Sequence, residues 1–123
     1  MPKDWLGSEA EWLVYDALIK LGKKPDIDFV YQSPFMGGRM EKGGIVVDFL
    51  MLDPPDLAIN PQGEYWHYSQ AHSPARDLIA REALAGQGIT LIFIDEDDLY
   101  QDAMGYVRLA LQYQDRSRLG SGS

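Results

Sequence analysis

The chain is 123 residues long, the size of one domain, with 11 lysines and arginines against 19 aspartates and glutamates and a formal charge of −8. Hydrophobic residues at 46% and charged residues at 24% are globular proportions, which exclude a disordered, collagen-like or low-complexity chain. Without cysteine, disulfide frameworks, thiolate zinc sites and cysteine nucleophiles are all excluded, and the negative balance gives no long-range attraction to nucleic acid.

No apolar run reaches the roughly 18 residues of a membrane span, and Met1-Pro2-Lys3-Asp4-Trp5 lacks a signal peptide's apolar stretch. The expectation is a cytoplasmic protein with no membrane partner. One domain is expected over residues 1–114. Residues 115–123 read as a flexible tail, ending in the linker-like Gly120-Ser121-Gly122-Ser123.

A first helix opens at Ser8, which forms the S-x-x-E spacing of a capping box with Glu11, and stops at Gly22. Ala10, Leu13, Val14, Ala17, Leu18 and Leu21 recur at the helical period and predict its buried stripe. Three strands are expected next: Asp28 to Gln32, Ile45 to Leu52, and Leu57 to Asn60 resuming at Glu64 to Tyr68. Pro61 implies a bulge or an edge in the third, because proline cannot donate to a ladder. Ser73 as N-cap and Pro74 at the first position open a second helix, with Ala75, Leu78, Ile79, Ala83 and Leu84 as its stripe and Gly86 or Gly88 as its end. Ile89 to Ile94, apolar on both faces, predicts an interior strand of a covered sheet. A last helix is expected from about Asp102 to Tyr113, with Val107, Ala110 and Leu111 inward. The order α-β-β-β-α-β-α is that of an α/β domain around one mixed sheet.

Asp48 interrupts the apolar run Ile45 to Leu52. A buried carboxylate there costs several kcal/mol unless it is paired or bound to a cation. It points to solvent from an outer face, or it is a hard-cation ligand where the strand opens into a cleft. The segment Asn60-Pro61-Gln62-Gly63-Glu64-Tyr65-Trp66-His67-Tyr68 gathers two amides, a carboxylate, an imidazole and three aromatics beyond the neighbouring strand. His67 is either a hydrogen-bonded structural residue or a general acid or base.

Glu11 is explained by its capping box, and can also project toward the Asp48 strand. Asp77 complements the dipole of the second helix, and Arg76 and Arg81 beside it either meet phosphates or form a solvated face. The glycine-bracketed loop Gly37 to Gly44, with Arg39 and Lys42, is either a phosphate-approaching loop or a hairpin connection. Asp95-Glu96-Asp97-Asp98 lacks calcium-loop spacing and reads as a solvated turn capping the last helix.

Gly43 to Phe49 and Leu57 to His67, with Gly63-Glu64-Tyr65-Trp66-His67 as the most specific part, resemble the very-short-patch-repair (Vsr-like) branch of the PD-(D/E)XK nuclease superfamily. Within it the EDxHD group of small phage-borne and homing endonucleases is the most similar. The resemblance covers Ser8 to about Leu111 and implies a restriction-endonuclease-like αβββαβ core. It implies Asp48 as the metal-binding aspartate, Glu11 as the first-helix glutamate, His67 as the histidine after the tryptophan and Asp77 as the helical acid.

Gln62 stands where the Vsr enzymes have a histidine and the wider superfamily a lysine. Val47 replaces the signature proline and Asn60 the usual second acid. The implied activity is a metal-dependent endonuclease acting on DNA in a bacterial or phage-infected cytoplasm. Magnesium or manganese would be held by Asp48 and the backbone carbonyl of Pro61. Arg39, Lys42, Arg76 and Trp66 would contact DNA, with Lys20, Lys23 and Lys24 adding basic surface, and a homodimer or larger protein partner would supply specificity. The alternative is a catalytically degenerate nuclease fold serving as a binding or assembly module in a phage complex.

Overall fold

The computed structural model describes residues 1–31, 40–42, 45–63 and 74–119. Its elements are α1 (Glu9–Lys20), β1 (Phe29–Tyr31), β2 (Met40–Lys42), β3 (Ile45–Val47), β4 (Phe49–Met51), β5 (Leu57–Gln62), α2 (Pro74–Ala85), β6 (Thr90–Asp95) and α3 (Glu96–Leu111). Strands β1-β4-β5-β6 form a mixed four-stranded sheet, antiparallel except for the β5–β6 pair, while β2 and β3 form a separate antiparallel hairpin. A parallel pair needs a crossover, and α2 supplies it between β5 and β6. The α/β order expected from sequence is therefore present, with the hairpin added.

Helix α1 forms as its spacing predicts. Ser8 Oγ accepts from the Glu11 N–H, and the Glu11 carboxylate accepts from the Ser8 N–H. At the other end Gly22 (φ 89°) takes the left-handed conformation of a Schellman turn. The Lys23 N–H reaches the Leu18 carbonyl and the Gly22 N–H that of Ile19. Ala10, Val14, Ala17 and Leu18 are buried, as the stripe requires.

Strand alternation divides the core into two layers. Phe49, Met51, Leu57, Ile59, Ile92 and Ile94 pack beneath α1 and α3, with Val14, Leu18, Leu99 and Val107. Ala58, Leu91 and Phe93 pack on the other side with Leu84 of α2, Val47 and Leu119. Each fully buried large apolar side chain contributes about 1.5–3 kcal/mol.

Five expectations need correction. The run Ile45 to Leu52 is two strands, with Asp48 at a bend between them. In one continuous strand Val47 and Phe49 would share a face, yet they enter opposite core layers. The run reads as unbroken because Val47 and Phe49, on either side of the bend, are both apolar and buried. The stripe of α2 is rotated: Leu78 and Ile79 are exposed, while Leu84 is buried with Ala80 and Arg81 beside it.

Strand β6 lies at the end of the sheet order instead of its interior. It is apolar on both faces because helices cover both, and its free edge is met by residues 115–119. These five residues are therefore no flexible tail. The Asp115 carboxylate accepts from the Phe93 N–H at 3.0 Å, Asp115 is 3% exposed, and Leu119 is buried.

Finally, α3 begins six residues before Asp102. Asp102 is a break inside it, with φ −158°, and its carboxylate accepts from the Gly105 N–H at 2.9 Å. The predicted start is the cap of the second half of the helix. Val107 and Ala110 are buried and Leu111 partly so, as expected.

Candidate functional site

One end of the sheet collects Glu11, Asp48, Asn60 and Gln62. It comprises Tyr31 at the end of β1, Phe49 at the start of β4, Gln62 at the end of β5 and Asp95 at the end of β6. Tyr31 pairs with Phe49, Phe49 with Ile59, and Gln62 with Asp95. All three helices start there. Helix α1 is tied to Tyr31 through Glu11, and α3 follows Asp95 directly. Helix α2 runs back along β6, with Leu84 packed near Leu91 and Arg81 over the Phe93 ring at 5.0 Å, so its N-terminus points the same way. In open α/β sheets the crevice outside the carboxyl ends of the parallel strands is where ligands bind.

Glu11 joins α1 to β1. It closes the capping box, and the same carboxylate oxygen accepts from the Tyr31 hydroxyl at 3.0 Å, which ties α1 to the strand beside β4. It is 7% exposed. Asp48 is half-buried at its bend, and its N–H donates to Asn60 Oδ1 at 2.9 Å. A side chain thus replaces a backbone partner where β4 leaves the ladder. The β4–β5 register closes at Phe49 and Ile59, so Pro61 lies past it, paired with Ile94 of β6 alone among the described strands. This is the local edge that proline requires. Gln62, the next residue, is buried at the strand end.

His67, Trp66, Arg39 and Ser73 lie outside the described residues, as does the strand expected to resume at Glu64. Asp77 and Arg76 belong to the first turn of α2, and Lys42 to β2, by backbone position. Lys20 and Lys23 sit at the opposite end of α1, paired with Asp16 at 2.8 Å and Asp53 at 3.8 Å, and Lys24 is beside them. They do not share a surface with Asp48. Arg81 is no solvated-face arginine either. Its side chain is 15% exposed, donates to the Leu119 carbonyl at 2.6 Å, and pairs with Asp115 at 3.4 Å.

Asp95 is the residue that sequence reasoning missed. It is 3% exposed, and Oδ2 accepts from the Arg118 N–H at 2.9 Å and pairs with the Arg118 guanidinium at 3.5 Å. Its Oδ1 is buried with no hydrogen-bond partner among the described residues. Burial raises its pKa above the ordinary carboxylate value, against the pull of Arg118. Asp97, exposed and bonded to Arg118 at 2.8 Å, is held below that value by the same arginine. Asp95, Asp97 and Asp98 each offer an oxygen, all within 4.8 Å of one another, so together they could hold a metal ion. The sequence clue was Asp95 at the end of an apolar strand. Its partner, 23 residues away, gave none.

No helix among the described residues is long and apolar enough to cross a membrane. Compared with family models, with curated proteins and with solved structures, the chain has no match.

Proposed function

We propose that the chain is a metal-dependent endodeoxyribonuclease, hydrolysing DNA phosphodiester bonds by nicking or structure-directed cleavage, as the Vsr-like enzymes it resembles do. One observation carries the reading. Glu11, Asp48, Asn60 and Gln62 converge on one end of the sheet, where three helices begin. Helix N-termini attract anions through their positive dipole ends; α1 and α3 fill theirs with Glu9 and Glu11 and with Glu96, Asp97 and Asp98, which leaves this attraction to α2.

The available donors suit a hard cation. Asp48 and the Pro61 carbonyl offer oxygen ligands only, and one strand from Gln62 the buried Asp95 Oδ1 has no partner among the described residues. Asp48 and the Pro61 carbonyl would hold magnesium or manganese, which when bound polarises a phosphoryl oxygen and makes its water a stronger acid. Glu11, fixed by Ser8 and Tyr31, is a rigid anchor beside that position. Gln62, a neutral amide, positions a phosphate oxygen or a water and transfers no proton. His67 orients or deprotonates the attacking water, and Asp77 anchors it. Arg39, Lys42, Arg76 and Trp66 contact the DNA, and a homodimer or larger protein partner supplies specificity.

The test is a nicking assay on supercoiled and branched DNA with magnesium or manganese. The wild type should nick and Asp48→Ala should not. Gln62→Ala should cost about tenfold at most, the worth of one neutral hydrogen bond. His67→Ala should cost about 10²–10⁴-fold, the worth of acid–base catalysis. A folded wild type that never nicks overturns the reading in favour of a binding or assembly module.

A further inference from the structure

Between the segment leading into α1 and strand β1 lies a cavity of about 220 Å³, bounded by Asp4, Trp5, Leu6, Gly7, Tyr15 and Tyr31. We infer that this cavity binds one unpaired nucleobase, so that the preferred substrate is DNA with a single-stranded or extruded base beside the scissile phosphate. The inference deepens the nuclease reading and rests on it for the identity of the polymer.

Two rings of the wall, Trp5 and Tyr31, have their polar tips already engaged. The Trp5 indole N–H donates to the Ser8 carbonyl at 3.0 Å, and the Tyr31 hydroxyl donates to Glu11 at 3.0 Å. Trp5 stacks on Tyr31 with centroids 5.0 Å apart and planes 19° apart, and Tyr31 stacks on the buried Phe49 at 4.8 Å. Tyr15 braces Trp5 at 5.2 Å. The column is therefore held in place before any ligand arrives, which removes the ordering cost of binding. Gly7 is required for this approach, since a Cβ there would collide with the Tyr31 hydroxyl and come within 2.6 Å of Glu11 Oε1.

Size and chemistry select the ligand. The cavity is smaller than the roughly 300–1,000 Å³ of drug-sized sites and suits a single planar ring system. Trp5, Tyr15 and Tyr31 lie 5.0 to 6.0 Å from one another, with Tyr15 tilted 55° and 72° to the other two, and fill the space between them, which leaves no open cage of the kind a quaternary ammonium needs. Asp4, the one carboxylate of the rim, accepts from an exocyclic amine, which favours cytosine, adenine or guanine over thymine. Stacking needs no basic surface, so it operates in a chain of charge −8. Position completes the case: Tyr31 pairs with Phe49, the residue after Asp48, so a base held here has its backbone near the proposed hydrolytic residues. A base inside a duplex stack cannot reach such a wall.

The experiment is fluorescence anisotropy of labelled 16-nucleotide strands in EDTA, where no cleavage occurs, followed by nicking of looped and fully paired substrates with manganese. Wild type should bind oligo-dC or oligo-dA more tightly than blunt duplex. Trp5→Ala should weaken single-strand binding roughly ten- to hundredfold, and Trp5→Phe should restore most of it. Asp4→Asn, on an exposed residue, should reduce the preference for dC and dA over dT with the fold unchanged. If Trp5→Ala does not fold, the Trp5→Phe and Asp4→Asn variants decide alone. Equal binding of single strand and duplex overturns the inference, as does unchanged base preference in Asp4→Asn, or displacement by tetramethylammonium but not by deoxycytidine. Trp5-dependent binding with no nicking under any condition supports the cavity and overturns the nuclease reading. Asp48-dependent nicking indifferent to Trp5 does the reverse.

Discussion

Helices α1 and α3 begin at the same end of the sheet, and each has an acidic first turn, but they are closed in different ways. Helix α1 is capped from within by the reciprocal bonds of Ser8 and Glu11. Helix α3 has Asp95 at its N-cap, yet that side chain makes no capping bond and turns instead to Arg118, 23 residues on. The first closure is local and survives in any fold that keeps the helix. The second exists only when residues 115–119 return to lie along β6. The lesson is that the carboxylate left with an unpartnered oxygen is the one whose partners come from a distance.

The largest effect is expected where the distant closure is anchored. Asp115 is buried and satisfies Arg81, the Phe93 N–H and Ser117 together. Asp115→Ala leaves a nearly buried arginine and a strand-edge N–H without their acceptor, and should cost about 3 kcal/mol in urea unfolding. A loss below about 1 kcal/mol would mean that the C-terminal segment contributes little to the fold. Ser8→Ala removes only a local cap and should cost about 1 kcal/mol by the same measurement. If it costs more than Asp115→Ala, the ranking of local against distant closure is reversed.

A smaller effect separates the two partners of Arg118. The pKa of Asp95 is raised in the folded state, so the fold binds this proton more tightly than the unfolded chain does. Its stabilising contribution is therefore present at pH below the ordinary carboxylate value and lost as pH rises through the raised one. Asp95→Asn cannot titrate, so it should gain on the wild type as pH rises from acid to neutral. Asp97, lowered by Arg118, has the opposite sign, its contribution appearing above the ordinary value and disappearing on acidification. Paired urea curves at pH 3 and pH 7 check this. A variant that loses ground toward neutral pH would show that Arg118 outweighs burial at Asp95.

What could be read from sequence follows the same division. Helix α1, its cap and its Gly22 stop depend on residues three or four apart, and periodicity exposes them. The α2 stripe could not be read that way. Arg81 belongs to the buried side only because Asp115 and Phe93 receive it, so Leu78 and Ile79 are left in solvent. The double strand around Asp48 is hidden for a related reason: Val47 and Phe49 are both apolar, and nothing local says that they enter different layers. Among the site residues, Glu11 was legible through its cap and Asp48 through its apolar setting. Asp95 was masked by the acidic run that follows it.

Calorimetric titration with manganese tests the central claim most directly, using the wild type, Asp48→Asn and Asp97→Asn. The account predicts that the wild type binds, that Asp48→Asn keeps its fold and loses the binding, and that Asp97→Asn binds like the wild type. Unchanged binding in Asp48→Asn, with loss in Asp97→Asn, would contradict it and move the ion to the first turn of α3.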